Sequence, residues 1–397
     1  MTRPSKKKLF IEATPLLGEN PSGVAKLLYG MIDALCDNIE FKNEYEVHLI
    51  IPIKKKPLLN KWNLDKDVCI DIIPLPLRLV NLLDKLHIMF PLDVYFGKGT
   101  YLFPNYRRLP LLFSRSLTYV HDAAYALHPD TVVAINRVFL ERVIPISFKK
   151  SDLIITLSEQ SRSELQKLFP QYQDKIKIIP CGIDTQKYHP STDRAVAAKL
   201  LSELGVRDNE YILFVGNIEP RKNIGYLLDI FVELVDSKAV SVDTALLIVG
   251  GGGWNNERLM IRIDSLNKSG YSIILPKKRI TDDQLPILYS KSLVSTLMSI
   301  HEGFGMTPLE ALASGSRVVV SDIPVLREVG GEVLSYAALD DKNRAVQAFK
   351  RAIGRTVSRD AIRNKLGMFT WKKSASILIG IIDNINNTEL KASREKL

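Results

Sequence analysis

The stretch Ser299-Ile-His-Glu-Gly-Phe-Gly-Met-Thr-Pro-Leu-Glu-Ala-Leu-Ala-Ser-Gly315 decides how the rest of the chain is read. The apolar run Val294–Met298 before it has the length and composition of a buried strand. Pro308 then takes the favoured first position of a short helix, with Thr307 as N-cap, Glu310 as third residue and Gly315 as the stop. The loop Glu302–Met306 thus leads from a strand into a helix N-terminus, and Gly303 and Gly305 let its backbone approach a ligand closely. The amides of Gly303, Phe304, Gly305 and Met306, with the positive end of the helix dipole, make a seat for a diphosphate. Glu302 and Glu310 can face one crevice, where carboxylates accept hydrogen bonds from sugar or ribose hydroxyls. Glu310 also suits a plainer role as capping-box partner of Thr307, and Glu302 that of a solvated loop acid.

Working outward, Phe214-Val-Gly-Asn-Ile-Glu-Pro-Arg-Lys-Asn-Ile224 also follows a strand and opens a helix. Arg221 and Lys222 fall at that helix start, where two cations are unfavourable unless an anion offsets them. A bound diphosphate would do so; two solvated surface bases are the alternative. Tyr119-Val-His121-Asp122 closes a strand in the first half. Pro21-Ser22-Gly23-Val24 occupies the first strand-to-helix loop, where Gly23 serves either a close approach to phosphate or a helix-start turn.

Apolar runs alternate with helix-length segments throughout, the pattern of βαβ units and mostly parallel sheets. Expected strands are Lys8–Ala13, Val47–Ile53, Val68–Pro74, Leu117–Val120, Leu153–Leu157 and Ile176–Ile179, then Tyr211–Val215, Thr244–Val249, Ser272–Leu275, Val294–Met298 and Arg317–Val320. Expected helices are Gly23–Cys36, Ser158–Leu168, Ile224–Val235, Glu257–Ser269, Asp282–Ser290, Pro308–Ala313 and Trp371–Asn387. A length of 397 residues suits two α/β domains, with a boundary near the polar stretch 184–208. The expected division is residues 1–190, residues 191–370 and a terminal helix over 371–397 that packs on either domain.

Composition narrows the function. Apolar content of 46% and charged content of 25% are ordinary globular values. Cys36, Cys69 and Cys181 match no metal or disulfide spacing, as in a reducing compartment. The net charge of +10 is spread out, with 26 Lys and Arg against 20 Asp and Glu in residues 1–190 and 28 against 24 after them. It fits anionic ligands or an acidic lipid surface; a nucleic-acid-binding protein has only this charge in its favour. No signal peptide or membrane-spanning run is read, so a cytoplasmic protein is expected, free or on the inner face of the membrane. Gly250–Gly253 lacks the last glycine of a dinucleotide fingerprint, where Asn255 stands. Asp65-Lys-Asp67 has the spacing of a metal-binding D-x-D but sits in a polar turn.

Glu302-Gly-Phe-Gly-Met-Thr-Pro-Leu-Glu310 resembles the E-x7-E motif of retaining GT-B glycosyltransferases of glycosyltransferase family 4. The resemblance extends over roughly residues 8–375. It takes in Ile154–Ser161, Ile179–Asp184, the glycine loop Leu247–Trp254 and Phe369-Thr370-Trp371, which is similar to the start of a helix crossing back to the first domain. It implies an α/β GT-B fold of two Rossmann-like domains facing across a cleft, the first for the acceptor and the second for the nucleotide sugar. It further implies that Glu302 lies by the transferred sugar, Glu310 binds the ribose, and the amides of Gly303–Met306 with Thr307 hold the pyrophosphate. Arg221 and Lys222 would stabilise the leaving phosphate, His121 would contact the donor sugar, and Gly23 would lie on the acceptor-side loop. One departure is Asn217, where many members carry Arg directly after the glycine; the Pro-Arg-Lys-Asn version is similar to a mannosyltransferase-like branch. GDP-mannose is then the first choice of donor and a UDP- or dTDP-sugar the second, with no metal and no cofactor. A lipid-linked saccharide of a surface polysaccharide is the favoured acceptor; a phosphorylase or an epimerase would share the fold. Lys6–Lys8, Lys54–Lys56 and the leucine stripe Leu79, Leu82, Leu83 and Leu86 suit contact with an anionic membrane, or a helix packed on its own sheet.

Overall fold

A computed structural model describes residues 5–18, 22–53, 56–62, 64, 68–86, 88–251 and 253–394. Pro21, Lys54, Lys55, Asp65, Asp67 and Gly252 lie outside the described residues. The chain forms two compact units. One takes the described residues up to Ala123, Val138–Gly182 and those from Phe369 on; the other takes Ala124–Arg137 and Ile183–Met368.

In the first unit seven strands form one parallel sheet: β1 Lys7–Glu12, β2 Tyr45–Pro52, β3 Cys69–Ile73, β4 Thr100–Phe103, β5 Arg115–Tyr119, β6 Leu153–Thr156 and β7 Ile176–Ile178. Their order is β3-β2-β1-β4-β5-β6-β7. The second unit has a six-stranded parallel sheet: β8 Tyr211–Val215, β9 Ala245–Val249, β10 Ser272–Ile274, β11 Val294–Leu297, β12 Val318–Ser321 and β13 Ser335–Ala337. Its order, β10-β9-β8-β11-β12-β13, repeats the arrangement of the first six strands of the other sheet. Strands such as Ala245–Val249 and Val294–Leu297 are buried throughout because helices cover both faces, so they read as continuous apolar runs without alternation.

The order reverses between β1 and β4 and again between β8 and β11. Open α/β sheets bind ligands beyond the carboxyl ends of the strands at such a reversal. In the second unit the loops leaving β8 and β11 carry Arg221, Lys222 and Glu302.

The expected strands and helices form with ends shifted by a few residues. Two strands were not anticipated. Thr100–Phe103 is fully buried beside β1, but only four residues long and preceded by Gly97 and Gly99. Ser335–Ala337 has three residues and no apolar run. Within the stretch taken as a polar connector, Arg194–Leu204 is a helix, capped by Asp193 through the Val196 amide and stopped by Gly205 at φ +70°. The stripe Ala197, Leu200 and Leu201 is its buried face.

The helix Trp371–Arg394 belongs to the first unit. Its Ser374 hydroxyl donates to the Pro180 carbonyl at 2.6 Å, and Tyr45 donates to its Asp383 at 2.6 Å. Gly30 and Gly182 are flat where Trp371 lies: a Cβ would come within 2.3 Å of its ring at Gly30 and 2.2 Å of its backbone nitrogen at Gly182.

Candidate functional site

The Glu302 carboxylate is the centre of the site. β11 ends at Leu297 and the chain turns through residues 298–305 before the helix Met306–Ala313. The Lys222 ammonium donates to Glu302 Oε1 at 2.6 Å, Arg221 Nη1 lies 2.9 Å from Oε2, and Ser299 Oγ donates to Oε1 at 2.6 Å. Arg221 is itself fixed by Glu219 Oε1 at 2.8 Å and by the His301 carbonyl at 2.7 Å. The Ile300 amide donates back to the Arg221 carbonyl, so the loops leaving β8 and β11 are tied at both levels. Burial alone would raise the Glu302 pKa, but the charges of Arg221 and Lys222 and the bonds from Lys222 and Ser299 outweigh it. The carboxyl is held well below the usual carboxylate range and stays ionised.

Arg221 and Lys222 do not open the following helix, as the sequence suggested. They occupy a separate turn, Pro220–Lys222, after which Asn223 adopts φ +53° and the helix Ile224–Asp236 begins. Nor is an external anion needed to balance them. Glu302 and Glu219 do so from within the unit.

The Met306 helix starts two residues earlier than expected. Its N-cap is Gly305, at φ +101°, and no side chain caps it. Thr307 is therefore the second helical residue, not the cap, and the capping-box reading of Glu310 fails. A Cβ at residue 305 would lie 2.6 Å from Leu326 Cδ2, so conformation and space both call for glycine. The first N–H groups of the helix have no acceptor within it. Glu310 is buried one turn further on and is faced by two tyrosines. The Tyr289 hydroxyl reaches its Oε2 over a long 3.5 Å, and Tyr188 hydrogen-bonds to it as well. Burial first, then the Glu310 charge, pushes both phenol pKa values upward. Ser299, Glu219, Tyr188 and Tyr289 escaped the sequence reading. Only Ser299, three positions before Glu302, gave a signal.

The glycine loop after β9 has a packing reason. A Cβ at Gly250 would fall 1.9 Å from the Gly216 carbonyl oxygen, and one at Gly253 1.4 Å from that of Ile218. The loop is pressed on the segment that carries Arg221.

Gly23 and His121 belong to the first unit. Gly23 is the first residue of the helix Gly23–Cys36, whose N-cap Ser22 accepts from the Ala25 amide at 3.1 Å. His121 is buried just beyond β5, stacked on Tyr119 and edge-on to Tyr106. Burial lowers its pKa, against the opposing pulls of Asp122 and the Pro104 carbonyl, so the ring is neutral at pH 7. Its Nε2 is 2.8 Å from the Pro104 carbonyl and must donate there, which leaves Nδ1 as the acceptor nitrogen.

The leucine stripe is divided in its use. Val80 and Leu83 of the helix Leu77–Lys85 pack into the core with Phe10, Met89, Leu92, Tyr101 and Leu109. Leu82 and Leu86 stay exposed, with Ile88 (65%), Phe90 (59%), Leu112 (73%) and Phe113 (50%) elsewhere on the unit. Asp84 is paired with Arg107 at 3.5 Å. Among the described residues no helix is long and apolar enough to cross a membrane.

Known proteins resemble the chain in both units. Residues 22–187 match the family described as Glycosyltransferase Family 4, and residues 200–370 match Glycosyl transferases group 1. O-antigen chain mannosyltransferase B of Escherichia coli is 30% identical over 231 residues, 58% of each chain. O-antigen chain mannosyltransferase RfbU of Salmonella typhimurium is 26% identical over 261 residues, 65% of this chain and 66% of that one. The matched stretch thus spans less than two thirds of each relative. Among solved structures, sucrose-phosphate synthase from Thermosynechococcus elongatus superposes with a TM-score of 0.67 at 16% identity, covering 97% of this chain and all of that one.

Proposed function

Since the chain belongs to glycosyltransferase family 4 and has the GT-B fold, we propose that it moves a hexose, mannose by preference, from a nucleotide sugar to a saccharide acceptor with retention of configuration, in the synthesis of surface polysaccharide or glycolipid. The observation that carries this reading is the convergence of Arg221 and Lys222 on Glu302 where the strand order reverses. Breaking the bond between the sugar and the diphosphate puts negative charge on the departing phosphate. Arg221 and Lys222 take up that charge, with the amides of Gly303–Met306 and Thr307 at the helix start. A guanidinium has five N–H donors and an ammonium three, so both cations can hold Glu302 and a phosphate together. Glu302 stays ionised beside the transferred sugar and accepts from its hydroxyls, while Glu310 accepts from the ribose. Two fixed cations supply the charge for which other transferases use a divalent ion, so the reading needs no metal in this step and no cofactor. On the first unit, the neutral His121 offers Nδ1 to a sugar hydroxyl, and Gly23 suits a loop that meets an acceptor.

The mannosyltransferase names of the two relatives and the Pro-Arg-Lys-Asn segment favour GDP-mannose over a UDP- or dTDP-sugar. The exposed apolar residues from Leu82 to Phe113 favour a lipid-linked acceptor met at the inner face of a membrane. A donor panel tests the core of the reading. GDP-mannose should raise the melting temperature and release GDP when a lipid-linked saccharide is added. Release from a UDP- or dTDP-sugar alone would change the donor; no release from any of the three would end the proposal.

A further inference from the structure

At the edge of the first sheet four polar side chains gather on two neighbouring strands. Glu46 and His48 are two apart on β2, and Cys69 and Asp71 two apart on β3, so each pair lies on one face. In the parallel register His48 stands opposite Cys69. His48 is buried; its Nδ1 lies 2.8 Å from Asp71 Oδ2 and its Nε2 lies 3.0 Å from Glu46 Oε2. Cys69 hydrogen-bonds to Glu46 in turn. The ligand atoms of Glu46, His48 and Cys69 all lie within 4.8 Å of one another.

We propose that Glu46, His48 and Cys69 bind a divalent metal ion, zinc by preference, in a structural site unrelated to sugar transfer. Nδ1–H donates to Asp71, and a cation that replaces the proton shared by His48 Nε2 and Glu46 Oε2 satisfies both, that proton leaving to solvent. In a tetrahedral zinc site nitrogen and oxygen ligands sit about 3.3 Å apart, and sulfur about 3.5 Å from either, from bond lengths of about 2.0 and 2.3 Å. The observed 3.0 Å needs to open only slightly. Asp71 plays the carboxylate that fixes the tautomer of a metal-bound histidine. Thiolate, imidazole and carboxylate together suit zinc and not magnesium or calcium. Lys8, opposite Glu46 on β1, offsets part of the negative charge without contributing a ligand. Binding releases the Cys69 thiol proton to solvent, and a solvent molecule completes the four ligands past the half-exposed Glu46.

Glu46 and His48 stand in the first half of β2, and Cys69 opens β3. The site is therefore toward the amino ends of the strands, away from the carboxyl ends where such sheets bind substrates. Its effect would be to fasten the edge strand β3 to β2.

The test is cobalt(II) titration of the full chain after chelator treatment, followed by zinc competition. About one cobalt per chain should give a near-ultraviolet thiolate-to-metal band that zinc abolishes, the ratio being that of a single three-ligand site. Cys69→Ser should lose the band with its circular dichroism intact, since Cys36 and Cys181 are buried elsewhere. Asp71→Asn should weaken affinity about 10–100-fold, as for other residues supporting a ligand. Zinc at a hundredfold excess over its Kd should raise the melting temperature by about 5 °C or more. No band at millimolar cobalt, or a band that survives Cys69→Ser, would overturn the site.

Discussion

The ammonium of Lys222 lies 2.6 Å from Oε1 of Glu302, although the two residues are eighty positions apart in the chain. Each belongs to a different loop at the point where the second sheet reverses its strand order. The contact holds the ammonium and the carboxylate against each other, so both are already oriented for the roles proposed for them.

Removing the carboxylate should therefore harm folding as well as activity. Glu302→Ala leaves Arg221 and Lys222 facing each other without their shared anion, and breaking such a buried pair costs about 3–5 kcal/mol. Lys222→Ala should cost less, because Arg221 and Ser299 still hold Glu302. Urea melts of the three proteins check the order; an equal loss for both variants would deny Glu302 its central place. Among folded variants, Lys222→Ala should lower kcat more than it raises the donor KM.

Glu310→Ala should weaken nucleotide binding by about 1.5–3 kcal/mol, the value of a hydrogen bond to a charged group. Tyr289→Phe serves as a control, since it removes only the long 3.5 Å bond and leaves the carboxylate in place. Calorimetry with the nucleoside diphosphate should show a large loss for the first and little for the second. Unchanged affinity in a folded Glu310→Ala protein would assign the ribose to another residue.

The depressed pKa of Glu302 has a definite pH signature. Its stabilising share is fully present above its ordinary value of 4.5 and is lost as pH falls below it toward the folded-state value. Wild-type protein should lose stability between about pH 5 and 3 more steeply than Glu302→Gln, which cannot titrate there. Denaturant melts at several pH values read the slopes; parallel curves would contradict the ion cluster.

Membrane contact is tested by the exposed apolar residues. Co-sedimentation with anionic vesicles should fall when Phe90, Leu112 and Phe113 are all changed to Ser, and it should weaken with salt as the surrounding bases are screened. A variant that pellets as well as wild type moves the contact elsewhere. Wild type remaining in the supernatant at low salt points to a soluble acceptor.

The alternation of apolar runs with helix-length segments carried most of the architecture, because strands covered on both faces leave a continuous apolar record. Thr100–Phe103 left too short a record to notice, although it is central and buried. The helix Arg194–Leu204 was lost among polar residues because only one narrow stripe of it is buried. At the candidate site, the family resemblance pointed to Glu302, Glu310, Arg221 and Lys222, and the local setting of each differs from the one the sequence suggested. A glycine at φ +101° starts the helix two residues before the proline that marks helix starts in general. The tyrosines facing Glu310 lie 21 positions or more away from it in the chain, where no local pattern reaches.

Trp371 fills the flat ground over Gly30 and Gly182, and this imposes an order on biosynthesis. A ribosome completes Gly182 and must then polymerise residues 183–370 before it adds the tryptophan. At 5–20 residues per second that takes roughly 10–40 s. Through that interval Gly30 and Gly182 lack the tryptophan that covers them in the finished unit.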